Sequence, residues 1–257
     1  MTTTRCVLTV HLDGVKNNLD GVRSSVIGYR YGVPRAKKPE KANDRGNVAV
    51  PPPRRQSRRG PTPSRAPYHH GNLRQALLDA ALCAIREHGV SELSLRDVAR
   101  RAGVSHAAPA HHFGDKAGLL TALATAGFGL FTQAQRDARE RGGADPVARF
   151  SWTGWAYVMF ADQNREYFEI MFRPELLNRE DAMFRAAADA AHQVLLETMR
   201  PVVSHLSEEQ LLTQTTSAWA LAHGLSRLWL DGNLSAFAGL TDIDQAARVI
   251  FGLPPKA

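Results

Sequence analysis

The stretch Leu93–Leu120, LSLRDVARRAGVSHAAPAHHFGDKAGLL, constrains the fold of this chain more than any other. Ser94 offers a side-chain oxygen at a helix start, and Asp97 three residues on suits the positive end of the helix dipole. Leu95, Val98, Ala99 and Ala102 recur at helical spacing and form one apolar face, with Arg96, Arg100 and Arg101 off it. Gly103 ends this helix, since the turn needs a residue that tolerates positive φ. Val104 then plugs the core, and Ser105 is placed to cap a second short helix reaching about His112. Two short helices joined by a glycine turn make a helix-turn-helix, whose second helix enters a DNA major groove.

The flanking residues complete this unit. Asn72 is placed to cap a helix whose apolar residues are Leu73, Ala76, Leu77, Ala80, Ala81, Ala84 and Ile85, one buried stripe that ends at Gly89. Packed over the helix-turn-helix, it gives a three-helix core. Pro109 falls in the first turn or so after Ser105, where some amides lack intrahelical partners, so its cost there is small. Gly114-Asp115 makes a turn, and Lys116 opens a long helix to about Arg141 that joins this unit to the rest of the chain. Lys116 and the exposed amides beside it suit a phosphate. Gly127 and Gly129 weaken the long helix locally.

Asn72 to about Glu140 resembles the N-terminal DNA-binding domain of the TetR/AcrR family of transcriptional regulators. The resemblance rests on the apolar first helix, LSLRDVARRAGVS, the His112-Phe113 pair eight residues after Val104, and Lys116 followed by Leu119-Leu120. One branch of that family has a similar Ser-His-Ala-Ala-Pro run. By this resemblance His112 and Phe113 close the domain core, while Ser94, Arg96, Ser105 and Lys116 meet the DNA. The family places a tyrosine that reaches a DNA phosphate where this chain has Ala110, which removes one positioning contact. His106, Ala107, Pro109, Ala110 and His111 are the candidates to face bases: His donates to guanine acceptors, and Ala or Pro packs on a thymine methyl. For His111 a contact to phosphate alone, and for Ala107 an inward position, stay open.

Charge does not decide the matter. The net charge is +7, but residues 1–71 hold 14 Lys/Arg against 4 Asp/Glu and the remainder 18 against 21. DNA binding therefore rests on where a few cations sit. Residues 34–67 are rich in Pro and Arg and poor in apolar side chains, so residues 1–67 read as a disordered basic tail. The tail is a phosphate-tracking arm, a solvated segment, or an upstream stretch from a misassigned start. No charged-then-apolar leader pattern appears and no apolar run approaches the ~20 residues of a membrane helix, so a cytoplasmic protein without a membrane partner is expected. Of Cys6 and Cys83, the latter reads as a small buried residue, and no disulfide framework is available. His69-His70 and His111-His112 lack Cys or acidic partners at zinc spacing, so no metal or cofactor is expected.

Beyond Gly142-Gly143 everything reads helical, giving an all-α chain: tail 1–67, DNA-binding domain 68–141, helical effector-binding and dimerisation domain 142–257. Asp145-Pro146 starts a helix to about Asn164, Tyr167–Phe172 is a short apolar segment, and Glu180 to about Leu206 a long helix. In that long helix Met183, Ala187, Ala190, Ala191, Val194, Leu195 and Met199 face inward, and Pro201 kinks or splits it near its end. Ser207 starts the helix reaching Leu230, and Asp242–Phe251 is a last amphipathic one. Trp219 and His223 share a face, and Gly224 permits a close helix approach. The run AWALAHGLSRLWLDG resembles a C-terminal branch of TetR-like regulators marked by Trp…His-Gly.

Trp152, Trp155, Met159, Phe160, Phe168, Phe172, Met183, Trp219 and His223 are the candidate lining of an effector pocket, although each of these side chains serves a plain core equally well. The resemblance implies a small-molecule effector, a double-stranded operator, and a homodimer paired through the last two long helices. A ligand-responsive repressor is the leading expectation. A sequence-tolerant architectural DNA-binding protein is the alternative, which the aromatic-rich body argues against. An enzyme using His223 with Asp231 or Glu197 finds no nucleophile–base spacing, phosphate loop or metal cluster to support it.

Overall fold

The computed structural model describes residues 70–256, and the expectations for the tail, Tyr68 and His69 lie outside them. The described residues contain helices and turns and no strand. In order these are α1 (His70–Glu92), α2 (Leu95–Arg101), α3 (Ala108–Phe113), α4 (Lys116–Glu140), α5 (Pro146–Gln163), α6 (Arg165–Met171), a 3-10 turn (Pro174–Leu176), α7 (Ala182–Met199), α8 (Glu208–Leu230), α9 (Asn233–Ala238) and α10 (Ile243–Ile250). Helix α1 already runs at His70, so Asn72 lies inside it instead of capping it.

The first half of the helix-turn-helix forms as its residues dictate. Ser94 Oγ accepts from the Asp97 amide at 3.2 Å, Val98 and Ala99 are buried, and Gly103 turns the chain at φ 66°. The second half starts later than expected. Ser105 caps nothing with its side chain: α3 begins at Ala108 after a turn in which the Ala108 amide donates to the Ser105 carbonyl at 3.0 Å. Pro109 supplies the rigid φ at the start of α3, where its missing N–H has no helical partner to lose. Its ring is fully buried, which removes it from the residues able to face bases.

Helix α4 is the spine. Asp115 caps it by accepting from the Gly118 amide at 2.8 Å, and Leu119, Leu120, Leu123 and Ala124 are almost fully buried. Contrary to the sequence expectation, α4 is long and apolar enough to cross a membrane by length and composition. Its apolar side chains instead fill a core shared with α1, α5, α6 and α8. Gly127 is the reason α6 comes so close. A Cβ there would meet Met171 Sδ at 2.8 Å and the Tyr167 ring at 3.0 Å. Gly127→Val is expected to cost about 1–3 kcal/mol through overpacking, read as a lower Tm in thermal denaturation; an unchanged Tm contradicts the packing.

The body follows its start signals closely. Asp145, Asp181, Ser207 and Asp242 each cap a helix, and Ser207 and Gln210 form a reciprocal capping box. Helix α7 stops at Met199, so Pro201 lies beyond its end and neither kinks nor splits it. Three expectations fail. Cys83 is exposed, because its side of α1 faces away from α2 and α4. Met183, in the first turn of α7, is 72% exposed and faces solvent. A Cβ on Gly224 would meet nothing within 4 Å, so no described helix of this chain approaches it closely; Gly154 is approached instead, with the Phe251 ring 2.5 Å from its would-be Cβ.

Candidate nucleic-acid interface and internal cavity

Helix α3 presents two faces. Pro109 packs inward with the partly buried Phe113, whose ring the Arg74 guanidinium covers at 5.3 Å. Ala107, Ala110 and His111, at i, i+3 and i+4, lie exposed on the other face, and His106 is exposed in the turn before it. Ser94, Arg96 and Ser105 are also exposed.

The cations nearby divide into structural and uncommitted ones. Arg101 donates to Asp97 at 2.6 Å and to both Glu87 oxygens at 2.7 and 3.0 Å, tying α2 to α1. Arg100 donates to Asp97 at 2.5 Å. Asp97 is held below the usual carboxylate range by these two hydrogen bonds, Arg101's first. Arg96 is exposed, and no ion pair joins it to another described residue. Lys116 Nζ donates to the Ser91 carbonyl at 2.9 Å, so its ammonium is anchored beside the α1–α2 turn. Asp115 already accepts from the first turn of α4, so the open amides expected to share a phosphate with Lys116 are partly taken.

Behind this unit lies a cavity of about 320 Å³. Its wall comes from α4 (Phe128, Phe131, Gln135), α5 (Phe150, Thr153, Gly154, Tyr157), Phe172, α7 (Ala188, Asp189, Ala191, His192, Leu195), α8 (Ala218, Trp219, Ala222) and Phe251. Of the nine residues expected to line it, Phe172 and Trp219 do so. His223 stands one layer out, with Nδ1 2.9 Å from the Tyr157 hydroxyl and its ring stacked on Phe168. Trp219 Nε1 donates to the same hydroxyl at 3.1 Å. Burial, and secondarily the charge of Arg227, holds the His223 pKa below its ordinary value. Burial pushes the Tyr157 phenol up, outweighing the hydrogen bond from Trp219.

The other candidates belong elsewhere. Trp152 and Trp155 sit between the guanidiniums of Arg141 and Arg248, 5.2–5.7 Å from their ring centres. Trp155 Nε1 also donates to Asp244 at 2.6 Å, so this pair fastens α5 to α10. Met159 belongs to a separate cluster with Val158, Leu225, Ile243 and Ala247. Phe160 packs on Phe131, and Phe168 on Phe172, both in the main core. Met183 is at the surface. Gln135, Tyr157, Phe128 and Phe131 escaped sequence reasoning. The α4 period could have found Phe128, Phe131 and Gln135, which recur at i, i+3 and i+7.

The chain belongs to the TetR family of bacterial regulatory proteins. Residues 77–123 match the family's N-terminal domain and residues 152–251 the tetracyclin-repressor-like C-terminal domain. Members are DNA-binding transcriptional regulators and not enzymes. Over 49 residues the chain is 49% identical to the HTH-type transcriptional regulator BetI of Serratia proteamaculans (strain 568), a match covering 19% of this chain and 25% of BetI. The chain thus spans about a quarter of that relative's length. A Rhodococcus sp. RHA1 protein of unknown function shares 33% identity at TM-score 0.61, covering 74% of this chain and 99% of the other. The Bacillus subtilis regulator FadR, solved with stearoyl-CoA, shares the fold at 12% identity and TM-score 0.56, covering 69% and 95%.

Proposed function

We propose that this regulator is a homodimeric repressor that reads a palindromic operator through α3 and is released by a small molecule bound in the cavity. The carrying observation is that one helix, α4, both walls the cavity and follows directly on α3. Helix α4 walls the cavity with Phe128, Phe131 and Gln135, and its first turn follows directly on α3. A ligand that fits one arrangement of α4 better than another biases where the reading helix sits. FadR, with stearoyl-CoA, is an instance of this fold holding a small molecule.

His106, Ala107, Ala110 and His111 face the bases in this reading. Ser94, Arg96, Ser105 and Lys116 meet the phosphates, Lys116 while leaning on the Ser91 carbonyl. One six-residue helix buries little DNA surface, so two copies are needed for tight specific binding. Support for pairing comes from α8 and α10. The outward face of α8 carries short side chains, Thr213, Thr216, Ser217, Ala220 and Gly224, framed by exposed Leu212, Leu221 and Leu228; Val249 and Ile250 are exposed on α10. The open face of Gly224 suits close approach by a second α8. The site of action is the cytoplasm, where a bacterial chromosome lies. The division at 142–143 then separates reading from sensing, with α4 common to both.

Filling the cavity by mutation tests the coupling. Ala188→Phe puts a ring into the wall from α7 and is expected to weaken binding to an operator selected from random DNA by about 5- to 150-fold, with sequence preference retained. Equal affinity for that operator, in a folded variant whose cavity is filled, overturns release by the effector.

A further inference from the structure

The cavity wall is buried in one part and open in another. Phe131, Tyr157, Ala191 and Ala222 are buried, whereas Asp189, His192 and Trp219 are exposed and mark where the wall reaches solvent. Trp219 is 41% exposed, and its Nε1 donates to the buried Tyr157 hydroxyl at 3.1 Å, which holds the indole in place at the opening. Asp189 is the wall's one carboxylate. No hydrogen bond or ion pair joins it to another described residue; Arg185, one turn earlier on α7, is instead paired with Glu180 at 2.9 Å. His192, three residues further on, is the wall's one basic side chain, and no ion pair joins it to Asp189.

These groups do not act equally on the two signs of charge. Ring faces carry the negative side of the aromatic quadrupole and attract a cation within about 6 Å of the centroid, indole most strongly. The Asp189 carboxylate attracts the same charge. An anion at the opening would find His192 alone in its favour, against Asp189 and the rings. The inner wall, largely aromatic and aliphatic, suits an apolar body.

We propose that the cavity takes an organic cation, its apolar body within the wall and one ammonium group at the opening beside Asp189 and Trp219. This rests on the effector-cavity reading and adds the chemical class of the effector. The apolar wall supplies affinity without direction; the carboxylate and the fixed indole orient the charged end toward solvent, where it keeps part of its hydration.

The test uses the 257-residue chain and three probes of nearly one shape and different charge: benzyltrimethylammonium, neopentylbenzene and phenylmethanesulfonate, titrated by calorimetry into the wild type, Asp189→Asn and His192→Gln. The wild type should bind the ammonium at least about tenfold more tightly than the sulfonate. Asp189→Asn should weaken the ammonium about three- to tenfold and leave the hydrocarbon unchanged, which also reports that the variant is folded. His192→Gln should hold the ammonium at least as tightly as the wild type does. Added salt should weaken the ammonium in the wild type and not in Asp189→Asn. Sulfonate binding as tight as that of the ammonium, ammonium affinity that survives Asp189→Asn, or binding of the hydrocarbon alone overturns the cation assignment and leaves the effector cavity standing. If the wild type binds none of the three, the effector-cavity reading fails and this inference fails with it.

Discussion

Ala110→Glu is expected to abolish specific DNA binding while leaving the chain folded. Ala110 lies exposed on α3, between Ala107 and His111 on the outward face, and its side chain supports nothing in the core. With α3 in the groove as proposed, a carboxylate there meets base-edge acceptors and two walls of phosphate. Like-charge contacts of this kind cost several kcal/mol, and each 1.4 kcal/mol is about tenfold, so a loss of at least about a hundredfold follows. Fluorescence anisotropy with a selected operator reads the loss, and thermal denaturation should return a Tm near that of the wild type. Unchanged affinity would mean that α3 does not face the DNA.

Gly118→Ala is expected to damage both stability and DNA binding. A Cβ at this position would run into the backbone carbonyl oxygen of Phe113, the last residue of α3. Backbone cannot swing aside as a side-chain tip can. Leu119 and Leu120 are almost fully buried, so α4 cannot yield either, and the strain falls on the α3–α4 turn that aims the reading helix. A loss of upward of about 2 kcal/mol is expected, or roughly 4–8 °C in Tm, together with operator affinity reduced at temperatures where the variant is still folded. A variant as stable and as tight-binding as the wild type would show that the turn has slack the structure lacks.

Local signals carried much of this fold into the sequence. Ser94, Asp145, Ser207 and Asp242 each stand before a helical period and each caps a helix, because capping depends only on neighbours three residues away. Gly89 and Gly103 break the chain for an equally local reason, a positive φ. What failed was whatever depends on a partner distant in sequence. Trp152 and Trp155 look like pocket residues until Arg141 and Arg248 arrive from α4's end and α10 to cover their rings. Pro109 looks like a surface residue of a reading helix until α3 starts three residues late and turns its ring inward. Gly127 reads as a weak point in a helix, and the close approach it permits is visible only with α6 in place, as that of Gly118 is only with Phe113 in place. The same holds for Gln135, which lines a cavity only once α5, α7 and α8 close around it.

Sequence-specific reading by α3 is tested by selection from a random duplex pool with the 257-residue chain, beside Ala110→Glu and a form beginning near Arg65. One palindrome should be enriched by the wild type and by the shortened form, and lost with Ala110→Glu. Binding without sequence preference that survives Ala110→Glu and disappears with residues 1–64 would contradict it and make this chain a sequence-tolerant DNA-binding protein.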